Sequence, residues 1–591
     1  MQVSKSFKQL VLLQLVIPVV LLAIAVYKGL SGVMYKAGFL QDKMQSLPNP
    51  LYALTGKSML YALALTGFFT IALGQALIAF YYRQEPDKKV SWAGCILMMT
   101  GLLLFLSTGY VAGPEPVALP EPHPLFYTGV VIFIIGSWTS LLGWLSLHRQ
   151  WKKNNPATVI PLAVSGLGVY AIIWTACSLM VTAEILLVLL PGSLGLLPSP
   201  NTGVLPTITG YFHHALSFCW IIPLYILLLT VLPVVAGGKL YSGLAGRMVL
   251  CSLLIISIPV VNQPSLPGIL NYGIVITGLI TVFILTLSLE YAGRKNGAKR
   301  NMFSWAERLP YFDEGRYLFA YLFCSLTLLA TGSVSALSHI PLNDHTTWTT
   351  GSFHITVTGP VMLSMGGMSL YLYSYLSGKK ISWPKLNVTI PYLWVMGILL
   401  FSFGLNWGGL LGQPLYNYTG QHTLKPDALS FRTEWLQANT LTLLGGLILL
   451  VAGILFLLVF AGTMLSRKTA TSLLFIPVST SYYPEKPFFL FNRLSPLLLI
   501  AGILIAVTIL PPLIGRTGSH EEQAMLFSDN GSIKLPAQPV VQEPAPPVKN
   551  DSGLLLGFLA AVGVFILILL FCVQASGLQR KLRSQKTSFP G

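Results

Sequence analysis

A histidine lies near the start of the long apolar segment Thr349–Ser377. It is His354, the last residue of the tetrad Gly351-Ser352-Phe353-His354. The segment is long enough to cross a bilayer as a helix, which needs about 20 residues. An ionisable side chain in a membrane helix is costly to bury and is a candidate functional site by default. The alternative is a buried histidine bonded to a neighbouring hydroxyl such as that of Thr356 or Tyr61.

Two further polar positions lie in apolar segments. His213 and His214 are adjacent in HHALSFCW, where they could bind a metal ion or form the polar start of a helix at the membrane surface. Glu184 lies in VTAEILLVLLPG. An intramembrane carboxylate of this kind could belong to a proton or water path, or it could be structural. Both patterns leave a functional and a structural interpretation open.

The composition indicates the kind of protein that positions these residues. Of the 591 residues, 54% are apolar and only 9% are charged, whereas a soluble domain carries about a quarter charged residues. Apolar runs of about 20 residues recur along the chain, which predicts an all-α, polytopic transmembrane helical bundle. The six cysteines lie in apolar runs without CxxC spacing. They indicate neither a disulfide framework nor a thiolate metal site.

Fourteen apolar spans are predicted, an even number that places both termini on one side of the membrane. They lie near residues 9–29, 51–82, 92–113, 126–148, 158–191, 211–236, 245–261, 267–292, 317–338, 351–377, 389–412, 436–465, 494–514 and 552–576. With the N-terminus inside, the inner segments hold 27 of the 36 lysine and arginine residues. This bias follows the positive-inside rule. We therefore expect a multi-pass protein of a bacterial or archaeal cytoplasmic membrane, with cytoplasmic N- and C-termini.

The net charge of +17 follows from this insertion signal and does not indicate a nucleic-acid partner. The chain divides into three predicted parts. Residues 1–515 form a transmembrane bundle, residues 516–551 a proline-rich outer linker, and residues 552–591 an extra transmembrane helix with a basic cytoplasmic tail.

Several sequence blocks, in order and at characteristic spacing, resemble subunit I of the heme-copper oxidases, specifically the B-type branch that includes the ba-type oxidases. The blocks are Trp144–Pro156, Ile222–Leu240, Ser288–Arg294, Trp348–His354, Gly404–Pro414 and Met464–Lys468. Each block alone is weak, and their shared order and spacing carry the resemblance. It implies a heme-copper oxidase subunit I-like bundle of about 13 core helices, with the fourteenth span as an extra C-terminal helix.

The resemblance also implies where a low-spin heme would be held. In this family two axial histidines face each other from spans 2 and 10, and two imidazoles make the iron an electron relay. The span 10 histidine matches His354, which is a possible residual heme ligand. The facing position in span 2 matches Tyr61, and a phenolate suits an electron relay poorly. The resemblance therefore predicts at most one heme.

The remaining cofactor positions of the family carry unsuitable residues. The second span 10 histidine, which binds the high-spin heme, is replaced by Ser352. Copper takes one histidine from span 6, matched by His214, and a histidine pair from span 7, matched by Gln263-Pro264. One imidazole cannot hold a copper ion that prefers several nitrogen ligands, so copper is not expected. The redox-active tyrosine one turn after the span 6 histidine is Phe218 here.

These substitutions favour a catalytically inactive paralogue of oxidase subunit I. Such a chain would serve as an integral subunit of a respiratory-type membrane complex, with a structural, assembly or docking role. Its expected partners are other membrane subunits, including a subunit II-like or cytochrome partner, and the lipid bilayer. His214 would then be a vestige of the copper site and Glu184 a candidate for a proton path.

Two other functions stay open at this point. One is an active cytochrome c or quinol terminal oxidase, or a nitric oxide reductase, whose ligands are displaced from the matched positions. The other is a proton or ion conductor built on this fold, using Glu184 and the polar residues of span 10.

Overall fold

The computed structural model describes residues 1–36, 58–108, 123–196, 205–258, 266–297, 304–337, 346–413, 435–467, 471, 473–483 and 496–503. The α-helices of this part are α1 (Lys5–Lys36), α2 (Ser58–Tyr82), α3 (Lys88–Ser107), α4 (Pro124–Asn154), α5 (Leu162–Glu184), α6 (Leu190–Ser193), α7 (Leu205–Thr230), α8 (Leu232–Val235), α9 (Gly243–Ile256), α10 (Leu266–Lys295), α11 (Tyr317–Leu337), α12 (Thr347–Phe353), α13 (Gly359–Ser377), α14 (Pro384–Leu410) and α15 (Leu436–Leu465). Single 3₁₀ turns lie at Ala306–Arg308 and Glu314–Arg316.

The described helices confirm the prediction of a polytopic helical bundle. Eleven of them are long and apolar enough to cross a membrane, and α9 is a shorter apolar helix. These twelve coincide with the first twelve predicted spans. Of the span predicted at 494–514, residues 496–503 are described and are helical. The linker 516–551 and the extra helix predicted within 552–591 lie outside the described residues.

A short two-stranded sheet adds a feature that the sequence did not predict. Strand β1 (Leu240–Ser242) pairs in parallel with β2 (Ser481–Tyr483), with Leu240 opposite Ser481. The backbone N–H of Leu240 also donates to Ser479 Oγ at 2.7 Å. The sheet ties the segment after α15 to the start of α9. Strands of three residues are too short to show an alternating pattern.

Glycines allow α3 and α4 to pack backbone against backbone. Gly94 on α3 faces Gly136 on α4, and Gly101 on α3 faces Gly129 on α4. The two glycines of each helix are seven residues apart in sequence. A Cβ at Gly101 would lie 2.6 Å from the Gly129 carbonyl oxygen, and a Cβ at Gly136 would lie 2.6 Å from the Met98 amide nitrogen. Small residues at this spacing let membrane helices approach closely.

Two π-helical turns interrupt the long helices, at Ile185–Leu189 and at His354–Thr358. Each turn ends with an N–H that donates five residues back, from Leu190 to Ile185 O and from Gly359 to His354 O. The next residue in each case is a proline, which has no N–H to continue the α-helical pattern. The prolines therefore explain the wider turns, which are frequent at functional sites.

Candidate functional site: the matched ligand positions

His354 occupies the junction between α12 and α13. Helix α12 is capped by Thr346, whose Oγ1 accepts from the Trp348 N–H, and it ends where the π-helical turn begins. The His354 ring is half-buried and packs against Phe401 of α14, with ring centroids 5.2 Å apart. The π turn thus sets the direction of the imidazole towards α14.

The imidazole of His354 is bonded to its own helix. Nδ1 lies 2.7 Å from the carbonyl oxygen of Thr350, one turn earlier. A carbonyl only accepts, so Nδ1 carries the proton and the lone pair remains on Nε2. Nδ1 thus bonds a backbone carbonyl and not the hydroxyl of Thr356, and the side chain of Tyr61, the other expected partner, lies outside what the structure describes. An imidazole held through Nδ1–H is the arrangement that metal-binding histidines use.

Ser352 lies on α12 two residues before His354 and next to Gly351, which faces α14. Within the described residues, four side-chain atoms of α12 and α14 are buried and have no hydrogen-bond partner: Trp348 Nε1, Ser352 Oγ, Ser402 Oγ and Asn406 Oδ1. A Cβ at Gly351 would meet the Asn406 amide oxygen and would lie 2.8 Å from Ser402 O. No local pattern in the sequence marks Ser402, Asn406 or Trp348, although the last two lie in the blocks that carry the family resemblance.

His214 is used to close a helix end. It lies nine residues into α7, so the expectation that it marks a polar helix start is wrong; the helix begins at Leu205. Its Nε2 is 3.2 Å from the carbonyl oxygen of Ile256, the last residue of α9. The last carbonyls of a helix have no partner within the helix, and His214 supplies one. Its ring packs against Phe218 at 5.2 Å, and Phe218 is 1% exposed.

Glu184 is the last residue of α5 and is buried at the start of the first π turn. Its position so close to an irregular turn was not predictable from the apolar pattern, although Pro191 was a signal. The structure does not bring Glu184 and His354 into one described contact.

The other matched positions are described less fully. Tyr61 lies in the first turn of α2. His213 lies in α7 beside His214. Gln263 and Pro264 lie outside the described residues.

An apolar cavity of about 50 Å³ lies between α1, α2, α11, α13, α14 and α15. Leu65 and Phe69 line it from α2, and Met362 and Gly366 line it from α13. It lies inward of His354 along α13. It is bounded by α2 and α13, the two helices between which the family resemblance places the low-spin heme. Pockets that hold drug-sized ligands measure about 300–1,000 Å³. Phe69, Trp394 and Phe456 are the aromatic side chains that line it, together with Tyr321.

The comparisons with known proteins agree with this arrangement of helices. A sequence model described as cytochrome c and quinol oxidase polypeptide I matches residues 9–448. The chain belongs to this family. A cytochrome c oxidase subunit 1 of Thermus thermophilus is 30% identical over 496 residues, covering 79% of this chain and 86% of that protein. A second T. thermophilus cytochrome c oxidase subunit 1 is 34% identical over 67 residues, or 11% of this chain and 62% of that sequence.

A solved structure shows the same fold. It is the cryo-EM structure of a heme-copper terminal oxidase dimer, one chain of which matches with a TM-score of 0.79 at 28% identity. The match covers 95% of this chain and 100% of that chain. The predicted resemblance to the heme-copper oxidase subunit I superfamily is therefore confirmed. The chain is a subunit I-like, multi-pass membrane protein.

The residues at the matched positions do not fit the high-spin heme and copper of the family. A serine hydroxyl at position 352 is a poor ligand for heme iron, and Phe218 has no group that can lose a proton and an electron. His214 donates Nε2–H to a helix carbonyl and would offer a single nitrogen. His354 alone retains a suitable donor, its Nε2, for an iron atom.

Proposed function

We propose that this chain is a catalytically inactive member of the oxidase subunit I family, acting as a structural, assembly or docking subunit of a respiratory-type membrane complex. The observation that carries the proposal is the chemistry at His214 and Phe218. The histidine closes the end of α9, and the phenylalanine is a fully packed core residue. Both positions serve packing in this chain.

The substituted positions lie in separate parts of the chain, which supports the proposal. Ser352 is on α12, Phe218 is on α7, and Gln263-Pro264 follows α9 in sequence. A single changed ligand could be rescued by a neighbouring side chain. Oxygen reduction, however, needs several metal-binding groups in one place, and changes in three parts of the chain remove more than one of them.

We propose that the chain binds no copper and at most one heme, on His354. The free Nε2 of His354 is the feature that favours one heme. A second porphyrin is disfavoured because Ser352 replaces the histidine that would bind its iron. An empty cavity of porphyrin size would be strongly destabilising, and large buried side chains such as Phe218 would avoid that cost.

The proposed partners are other membrane subunits, including a subunit II-like or cytochrome partner. The proposed location is a bacterial or archaeal cytoplasmic membrane with both termini on the cytoplasmic side. Family membership supports the proposed partners, because the solved relative is part of a terminal oxidase dimer. The distribution of basic residues supports the proposed location. The lipid bilayer would contact the exposed apolar side chains along the helices, such as Leu103 and Phe283.

Turnover measurements test the inactive role. The full chain, purified from its native membrane with its associated subunits, should consume no oxygen or nitric oxide above background when supplied with reduced cytochrome c or a quinol. The same preparation should contain other membrane proteins at a fixed ratio to this chain. Turnover by the chain on its own, after removal of those subunits, would contradict the proposal.

A further inference from the structure

Two glutamines lie fully buried in the inner half of the bundle, and in the described part of the chain no nitrogen or oxygen atom pairs with either amide. Gln14 on α1 and Gln75 on α2 are each 0% exposed. Within the described residues, neither the amide nitrogen nor the amide oxygen of either side chain has a hydrogen-bond partner. The indole Nε1 of Trp144 on α4 is likewise buried without one.

These groups lie at one depth in the membrane. Gln14 is nine residues from the first residue of α1, and Gln75 is seven residues from the last residue of α2. At a rise of about 1.5 Å per residue, both lie about 10–14 Å from the helix ends predicted to be at the inner face. Trp144 packs against Gly74, the neighbour of Gln75. Gln14 approaches the thiol of Cys95 on α3, which is also 0% exposed.

An amide buried without hydrogen bonds is unfavourable. Each unsatisfied buried donor or acceptor costs about 1–3 kcal/mol, and five such atoms lie here. Membrane proteins have no lipid group at this depth that could pair with them. Proteins resolve such sites by binding ordered water, which makes about three hydrogen bonds to otherwise unsatisfied groups.

We propose that α1–α4 enclose a binding site for ordered water at the level of Gln14, Gln75 and Trp144. Two amides offer both donors and acceptors, and the indole offers a donor, which matches the amphoteric hydrogen bonding of water. The Trp144 ring packs over Gly74, which places the indole beside the turn of α2 that carries Gln75. The inference does not depend on the inactive role of the chain.

Radiolytic labelling tests the proposal on the full chain in lipid nanodiscs. Hydroxyl radicals produced by X-rays from bound water oxidise the side chains next to that water. Trp144 and Trp174 are matched in burial, at 3% and 2% exposed, but Trp174 Nε1 already donates to Ser137 Oγ at 2.8 Å. We expect several-fold faster oxidation of Trp144 than of Trp174. Equal rates for the two indoles would overturn the proposal.

Cys95 and Cys177 provide a second matched pair, since both are 0% exposed. Cys95 should be oxidised faster than Cys177 if water lies beside Gln14. Neither comparison requires a variant to fold. In addition, Gln75→Leu should lower Trp144 oxidation to the level of Trp174. Gln413→Leu, which removes a glutamine already bonded to Asn439, should leave it unchanged. Unaltered Trp144 oxidation in Gln75→Leu would count against a water site at this glutamine.

Discussion

Phe218 stands where the family resemblance places a tyrosine that takes part in oxygen chemistry. It is 1% exposed and packs against the ring of His214. If this side chain is kept for packing, the stability of the protein should depend on its volume. If it is only a remnant of catalysis, stability should not depend on it.

Truncation of Phe218 tests this distinction. Phe218→Ala should lower the free energy of unfolding by about 3–5 kcal/mol, because it opens a cavity in the core. The matched control is Phe283→Ala, since Phe283 is 64% exposed and should change stability by about 0.5 kcal/mol or less. Both values can be measured by denaturant unfolding in mixed micelles. A loss at Phe218 no larger than that at Phe283 would show that the position is not used for packing.

The sequence predicted the residues of the candidate site better than their partners. Ser352, Phe218 and His214 could be placed because they lie inside matched blocks. The bond from His354 Nδ1 to Thr350 O could not, because its acceptor is a backbone carbonyl, which no residue type in the sequence marks. The bond from His214 to Ile256 O joins residues 42 apart in sequence, and no local pattern reports such a contact.

At the scale of elements, the packing of α3 on α4 depends on four glycines. Gly101→Ala should destabilise the chain by about 1–3 kcal/mol, since its Cβ would meet the backbone of α4 at Phe133 and Gly129. Gly143→Ala on α4 is the control, because its Cβ would lie 3.6 Å from Val90 Cγ1, an ordinary contact. Gly143→Ala should be neutral or slightly stabilising. Thermal unfolding in detergent would rank the two variants, and the reverse order would refute the close backbone packing.

The helices themselves were predictable because a membrane requires about 20 apolar residues for each crossing. Their ends were less so. Helix α7 begins six residues before the predicted start at 211. The prediction missed these first turns because they include Pro206 and Gly210, which are not typical of helix interiors. The two π turns and the sheet β1–β2 depend on prolines and on distant pairing, which hydropathy does not register.

At the scale of the whole molecule, the distribution of basic residues predicts which loops face inward. A cysteine at position 314, in the exposed 3₁₀ turn before α11, should be inaccessible to a membrane-impermeant thiol reagent added to intact cells. A cysteine at position 196, where Leu196 is 72% exposed, should be labelled. The variants Glu314→Cys and Leu196→Cys therefore form a matched pair. Labelling of position 314 and not 196 would invert the predicted topology.

The fold and the family follow from the whole chain, whereas the proposed loss of catalysis rests on a few positions within it. A bundle of this kind can keep its helix packing while the groups that bind iron and copper change, because the two depend on different side chains. Family membership alone therefore does not determine what this chain binds.

Heme and metal content of the purified full chain is the most direct test of the inactive role. The absorption spectrum, the pyridine hemochrome assay and elemental analysis together give hemes and copper per chain. The proposal predicts no copper and at most one heme per chain. Two hemes and one copper per chain, with a carbon monoxide-sensitive spectrum, would contradict it.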